Sequence, residues 1–243
     1  MLVKTEAIVL HSVKYGEQKL IIDMFTRQSG RLSFVASLPK SPRSKLKKQY
    51  FQPLTLLDIE YDYRPQQQLQ KLQEASLLIP LPTLQADPSK LAISLFACEF
   101  LYHALRDETR NEPLFCYITS SLEWLDGRKE NFANFHLVFL MHLSRFLGFY
   151  PNLEEKGTSA ELYFDLQTAT FCDTPPVHRD FLMPQEARRI HLMMRMDFAT
   201  MHLFKMSQSE RNRTLEVLLH YYHLHLPAFP ELRSLAVLRE LFR

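Results

Sequence analysis

The sequence predicts an α+β protein: a five-stranded OB-fold barrel at the amino terminus, then an α-helical domain carrying a short β-ribbon insertion. Three observations lead there. Residues 1 to 79 fall into short segments of apolar and polar alternation separated by turn residues. Pro80-Leu81-Pro82 ends that rhythm, after which apolar residues recur at helical spacing. Residues 152 to 182 then return briefly to strand-like alternation. The domains are accordingly expected at 1–80 and 81–243, with the ribbon near 152–182.

Gly16 and Ser29-Gly30 supply turns, so Thr5 to Val13, Gln18 to Thr26 and Arg31 to Leu38 make a meander. From Thr55 to Arg64 one face collects Leu57, Ile59, Tyr61 and Tyr63 while the other carries Asp58, Glu60 and Asp62, the two-residue period of a half-buried strand. This fourth strand spans Leu54 to Tyr63, and a fifth runs from Leu69 to Leu78. Five strands in about eighty residues suit a small closed barrel of the OB type.

Asp87-Pro88 places an N-cap and a first-turn proline before a helix over Ser89 to Arg106, with Leu91, Leu95, Cys98 and Leu101 or Tyr102 as its apolar stripe. Asn111-Glu112-Pro113 starts a second helix that reaches Leu125 and closes at Asp126-Gly127. A third runs from Asn131 to Leu147. The ribbon is read in Leu162 to Leu166 and Thr170-Phe171, stopped by Pro175-Pro176. Further helices begin at Pro184-Gln185-Glu186 and at the capping box Ser207 to Glu210, and a last one near Pro230 includes Leu235, Leu238 and Leu241.

Charge is distributed unevenly. Twelve Lys and Arg face seven Asp and Glu in residues 1 to 79, a net +5 in a chain whose total is +2. The stretch from Ser37 to Lys48 holds Lys40, Arg43, Lys45, Lys47 and Lys48 and no acid. Such a run suits a solvated connection, and it equally suits a grip on a phosphate backbone, where each cation displaces a counterion. On the second reading these five cations and Arg31 are the candidate DNA-binding residues, with Tyr15, Phe34, Tyr50 and Phe51 as possible stacking surfaces.

Catalysis finds little support. There is no Gly-rich phosphate loop, no H-E-x-x-H and no G-x-S-x-G, and the whole chain has five glycines. Asp58, Glu60 and Asp62 would have to hold Mg²⁺ in a nuclease, but their strict alternation is that of a strand's solvent face. Cys98, Cys116 and Cys172 are scattered, which argues against disulfides and against a zinc knuckle, and favours buried thiols. His220, His223 and His225 crowd one helix without a ligand at zinc spacing, and Met193, Met194, Met196 and Met201 read as adaptable core. No catalytic residue, metal or cofactor is expected. No run of about 18 apolar residues and no signal peptide is seen, so no membrane is expected and the location is the cytoplasm.

The segment Y-G-E-Q-K-L-I-I-D-M-F-T-R-Q-S-G-R-L-S-F-V-A, Tyr15 to Ala36, resembles the bacterial recombination mediator family RecO. The resemblance continues through the basic residues Ser41 to Lys48 into Phe51-Gln52-Pro53-Leu54, through Phe135 to Gly148 with Phe149-Tyr150-Pro151, and to Leu232-Arg233-Ser234. It implies an OB fold on a helical domain, no covalent catalysis, and a role in DNA repair. It further implies binding and annealing of single- and double-stranded DNA, work with RecR, contact with the carboxy-terminal tail of single-strand-binding protein, and loading of RecA in the nucleoid. A cation is needed for that tail's terminal carboxylate, and Arg145, Arg106 and Arg128 are the candidates. The sequence departs from the family twice. Many members carry four zinc-binding cysteines where residues 152 to 182 have only Cys172, and Leu38-Pro39 stands where Gly-Ala is common. The rival readings are a protein-interaction scaffold that does not touch DNA, and a metal-dependent nuclease.

Overall fold

A computed structural model describes residues 1–38, 45–152 and 162–241. The chain divides into two compact units, Met1–Gly127 with Leu232–Leu238, and Arg128–Glu231 with the residues from Arg239.

The first unit opens with a closed barrel of β1 (Leu2–Tyr15), β2 (Lys19–Thr26), β3 (Gly30–Ser37), β4 (Leu56–Asp62) and β5 (Leu69–Ile79), in the order β1-β2-β3-β5-β4. All pairings are antiparallel except β3 with β5, which is parallel, as the OB topology requires. Alternation drives closure: Leu57, Ile59 and Tyr61 point inward from β4 to meet Phe34, Met24 and Leu72, while Tyr63, expected on that face, lies beyond the strand and is exposed. Ala7 to Leu10 are buried without alternation because β1 is covered on its outer side as well. There α2 (Pro88–Ala104) packs, and the Cys98 thiol donates to the Leu10 carbonyl at 3.0 Å. Burial pushes the Cys98 thiol up to about 12, so it is an unreactive core group.

The helix starts follow local chemistry. The Asp87 carboxylate accepts from the backbone N–H of Ser89 (2.8 Å) and Lys90 (3.1 Å), with Pro88 in the first turn. Asp87→Ala is expected to cost about 1 kcal/mol of unfolding free energy, as N-cap removal does; a urea midpoint matching the parent's would contradict it. The short α1 (Thr83–Ala86), too brief to leave a periodic signal, is held by Asp126, which accepts from the N–H groups of Thr83 and Leu84 at 2.7 and 3.1 Å. α3 (Glu112–Gly127) completes the helices of this stretch, and Phe25 of the barrel meets Phe115 on it.

The apolar stripe expected on α2 is corrected in part. Cys98 and Leu101 are buried as expected, but Leu91 and Leu95 are 38% and 42% exposed, and Ile93, Phe96, Ala97 and Phe100 fill the core instead. The helix is apolar around most of its circumference, so periodicity alone does not choose which side faces the core.

The second unit contains α4 (Phe135–Phe146), a small sheet of β6 (Tyr163–Asp165), β7 (Thr170–Cys172) and β8 (Phe181–Leu182), α5 (Pro184–Arg195) and α6 (Gln208–His225). α4 begins four residues later than expected because Asn131 has a left-handed backbone, φ +65°, which a right-handed helix does not include; Asn134, just before the helix, donates to the carbonyls of Met201 (3.1 Å) and Phe204 (2.8 Å). The capping box of α6 forms as read, with Ser207 and Glu210 bonding reciprocally. The buried Tyr222 hydroxyl donates to the Leu140 carbonyl at 2.8 Å, tying α6 to α4. Phe164 of the ribbon is buried beside Tyr221. Met193, Met196 and Met201 are buried, in keeping with a core role. The terminal α7 covers only Leu235–Arg239, so Leu241 lies outside it. Among the described residues no helix is long and apolar enough to cross a membrane.

Candidate nucleic-acid interface

On one flank of the barrel, strand register gathers cations that are far apart in sequence. Lys19 opens β2 opposite Ser37 at the end of β3, and Val35 of β3 pairs with Lys71 of β5. Each lysine precedes a buried leucine, Leu20 or Leu72, so alternation turns both outward. Lys45 arrives by a different route. Leu46 is buried in the barrel core and acts as a plug, which leaves Lys45 and Lys47 exposed on either side of it. The Ala75 N–H donates to the Lys45 carbonyl at 3.4 Å, fixing the segment on β5.

Lys19, Lys45 and Lys71 thereby line one cleft of about 450 Å³, with Ser37 and Gln73. A neighbouring cleft of about 290 Å³ holds Lys4, Lys45, Lys47 and Tyr50 together with Asp58, Glu60 and Glu74. Lys45 pairs with Glu74, and Lys4 with Glu60 at 2.5 Å. The Lys47 ammonium lies 5.8 Å from the centre of the Tyr50 ring. Lys48 begins the 3-10 turn Lys48–Phe51, whose Phe51 is buried. Exposed pairs of this kind contribute little to stability and exchange readily for another anion. Removing the competing carboxylate should therefore tighten DNA binding modestly: Glu74→Gln is expected to raise single-strand affinity about twofold, because Lys45 no longer gives up an exposed ion pair to meet phosphate. An unchanged or weakened affinity in fluorescence anisotropy would contradict it.

The sequence-derived candidates fare differently. Lys40 and Arg43 lie outside the described residues. Lys45, Lys47 and Lys48 are exposed and close together in the chain. Arg31 is taken up by the fold: its guanidinium stacks 4.7 Å over Tyr102, donates to the Tyr102 carbonyl at 3.2 Å and pairs with Asp23 at 3.3 Å, leaving the side chain 11% exposed. Of the four rings, Phe34 and Phe51 are buried in the barrel and present no face, while Tyr15 stays 59% exposed at the tip of the β1–β2 hairpin, beside Lys14. Lys19 and Lys71 are the residues that sequence reading overlooked, since each stands alone in its strand.

Two of the three acids on the acidic face of β4, Glu60 and Asp62, are engaged with cations. Asp62 accepts from the amino terminus at 3.1 Å and from Arg64 at 3.0 Å, which hold its carboxyl below the usual range. Among the described residues no three His, Cys, Asp or Glu converge as metal ligands.

The ribbon's residues do not fit the four-thiolate zinc site of similar proteins. Cys172 is the single thiol, and desolvation raises it further above the ordinary value. Nε2 of His178 meets Asp165 at 3.2 Å, Nε2 of His220 meets Asp180 at 3.0 Å, and Nε2 of His225 meets the Leu166 carbonyl at 2.8 Å. The last two contacts join the ribbon segment to α6. Elemental analysis of the purified protein is expected to find no stoichiometric zinc; about one zinc per chain would contradict it. Cys116, expected to be buried, is exposed on α3.

For the partner-tail candidates, Arg106 belongs to the first compact unit and is exposed. Arg128 and Arg145 belong to the second and are exposed too, with Arg145 stacked 4.4 Å over Tyr150.

Two family models match: recombination protein O, amino-terminal part, over residues 1–80, and recombination protein O, carboxy-terminal part, over residues 85–236. The chain is similar over its whole length, and over the whole of each relative, to the DNA repair protein RecO of Phocaeicola vulgatus (50% identity over 242 residues) and that of Bacteroides fragilis (50% over 243). It is 37% identical over 246 residues to the DNA repair protein RecO of Christiangramia forsetii, again covering both chains completely.

Proposed function

Because the chain belongs to the RecO family of DNA repair proteins, we propose that it is a non-catalytic mediator of recombinational repair that binds single- and double-stranded DNA and anneals single strands. The observation that carries this reading is the convergence of Lys19, Lys45 and Lys71 on one barrel cleft, with Lys47 and Lys48 alongside. A row of ammonium groups on strand and loop neutralises phosphates without reading bases, so the grip is independent of sequence. Tyr15 and Tyr50 offer faces on which a base can stack. Annealing follows when one molecule neutralises two strands, since their mutual repulsion otherwise slows their meeting.

In this reading residues 1–80 hold DNA and residues 81–243 take protein partners: RecR, and the carboxy-terminal tail of single-strand-binding protein, with Arg145, Arg106 or Arg128 receiving the tail's carboxylate. Working from the cytoplasm at the nucleoid, the protein then helps load RecA onto coated strands. The scaffold alternative requires no affinity for bare oligonucleotides. The nuclease alternative requires metal-dependent turnover abolished at Asp58 or Asp62, groups set among the barrel's own cations.

The test is annealing of complementary oligonucleotides precoated with single-strand-binding protein. Equimolar protein is expected to accelerate duplex formation with strand lengths unchanged. No acceleration at any ratio would refute the proposal, and shortened strands would favour the nuclease.

A further inference from the structure

The lysine cleft continues onto an apolar strip on the outside of the barrel. Directly paired residues share one face of a sheet, and the register sets Val13 opposite Ile21, Ile21 opposite Val35, and Val35 opposite Lys71. Leu20, Ile22, Phe34, Ala36 and Leu72, which alternate with these residues, fill the core, so the row points outward. One row nearer the hairpin tip, Tyr15 faces Lys19, which faces Ser37. Val13 and Tyr15 are 48% and 59% exposed, while Ile21 and Val35 are half-buried. Val35 lines the cleft itself with Lys19 and Lys71, so the apolar strip and the ammonium groups form one continuous surface.

On the other side of the strip lies the row His11, Asp23 and Ser33. Its one acid is taken up by the protein, since Asp23 pairs with Arg31 at 3.3 Å and accepts from the Ser33 hydroxyl. A lone exposed apolar residue on a strand needs no explanation, but a row across three strands, with an exposed ring beside it and cations at its edge, does. Phosphate binding accounts for the lysines and leaves the strip without a role. An unpaired nucleic-acid strand presents both parts together, a line of anions and a flat face at each nucleotide. Duplex DNA carries the same anions, but its base faces are closed within its own stack.

We propose that the strip of Val13, Tyr15, Ile21 and Val35 is what distinguishes unpaired from paired DNA on the barrel. Bases of a bound strand lie on it, one of them stacked on Tyr15, while Lys19, Lys45 and Lys71 hold the phosphates. The proposal rests on the DNA-binding reading above and extends it to the end of annealing. Pairing withdraws the base faces from the strip, so formation of the duplex removes these contacts and favours its release.

The test compares an oligothymidylate with a strand of equal length whose nucleotides lack bases, both fluorescein-labelled, by anisotropy on the full-length protein. The charges are the same, and only the base faces differ. The parent is expected to bind the thymidylate about tenfold more tightly, as one stacked base contributes, with equal salt slopes for the two strands. In the double variant Val13→Ser, Tyr15→Ser the ratio should fall to about one, with the parent's slope kept because no cation is removed. Both side chains are exposed, so the urea midpoint should match the parent's. Tyr15→Ala, expected to lose most of the preference, serves if the double variant does not fold, and Tyr15→Trp should retain it.

Equal affinity of the parent for the two strands, with a normal salt slope, would overturn the proposal and leave the phosphate grip standing. A folded double variant that keeps the parent's preference would overturn it too, and would give the strip to a ligand other than bases. Binding of neither strand would overturn it together with the DNA-binding reading on which it rests.

Discussion

Replacing Lys19, Lys45 and Lys71 together by Ala is expected to weaken binding of single-stranded DNA about 100-fold near 0.1 M salt and to flatten its salt dependence. The three ammonium groups share one cleft, and each phosphate contact on a single strand contributes about −0.7 to the slope of log K against log salt. Three contacts therefore remove about two from the slope, which at tenth-molar salt corresponds to about two decades of affinity. Since all three side chains are exposed and none supports the core, the variant should unfold at the parent's urea midpoint. Lys129→Ala, at an exposed cation in the other compact unit, should leave slope and affinity nearly as they were. A folded triple variant with the parent's slope would take this cleft out of the interface.

The second large effect is on stability. Gly30 has φ +71°, and a Cβ built on it would lie 2.4 Å from the carbonyl carbon and oxygen of Thr109 and 2.5 Å from the Glu108 oxygen. The approach is fixed from both sides, because the Arg31 N–H donates to the Glu108 carbonyl at 2.9 Å and the Thr26 hydroxyl to the Gly30 carbonyl at 2.9 Å. Those atoms are backbone and cannot swing aside. Gly30→Ala is expected to cost about 3 kcal/mol or more, combining left-handed backbone strain with overpacking. Gly16 provides the control: φ is +68°, but nothing lies within 4 Å of its added Cβ, so Gly16→Ala should cost about 1 kcal/mol from the backbone alone. Equal urea midpoints for the two variants would show that the contact with Thr109 is not made.

The barrel was readable because its signals are local. Alternation in Leu56–Asp62, turn glycines at 16 and 30, and the polybasic stretch each lie within a window of about a dozen residues. The cleft was only half readable for the converse reason. Lys45, Lys47 and Lys48 announce themselves as a run, whereas Lys19 and Lys71 become neighbours only through the register of three strands, one pair of them parallel. An exposed lysine immediately before a buried leucine was the available signal, and it is too common to single out. Arg31 misled because composition cannot tell a cation offered to solvent from one closed over Tyr102. Leu91 and Leu95 misled because α2 is apolar on more than one side. β8 escaped notice because two residues, Phe181–Leu182, are too few to show a period.

The central claim, that the barrel's lysines hold phosphate rather than protein, is tested most directly by titrating salt against the unmodified protein's affinity for a fluorescein-labelled oligothymidylate. With Lys19, Lys45, Lys47, Lys48 and Lys71 each making a contact, the slope of log K against log salt should be about −3.5. An affinity that does not change between 50 and 200 mM salt (roughly a hundredfold fall is expected for this range of contacts), or no binding at all at the lower concentration, would contradict it.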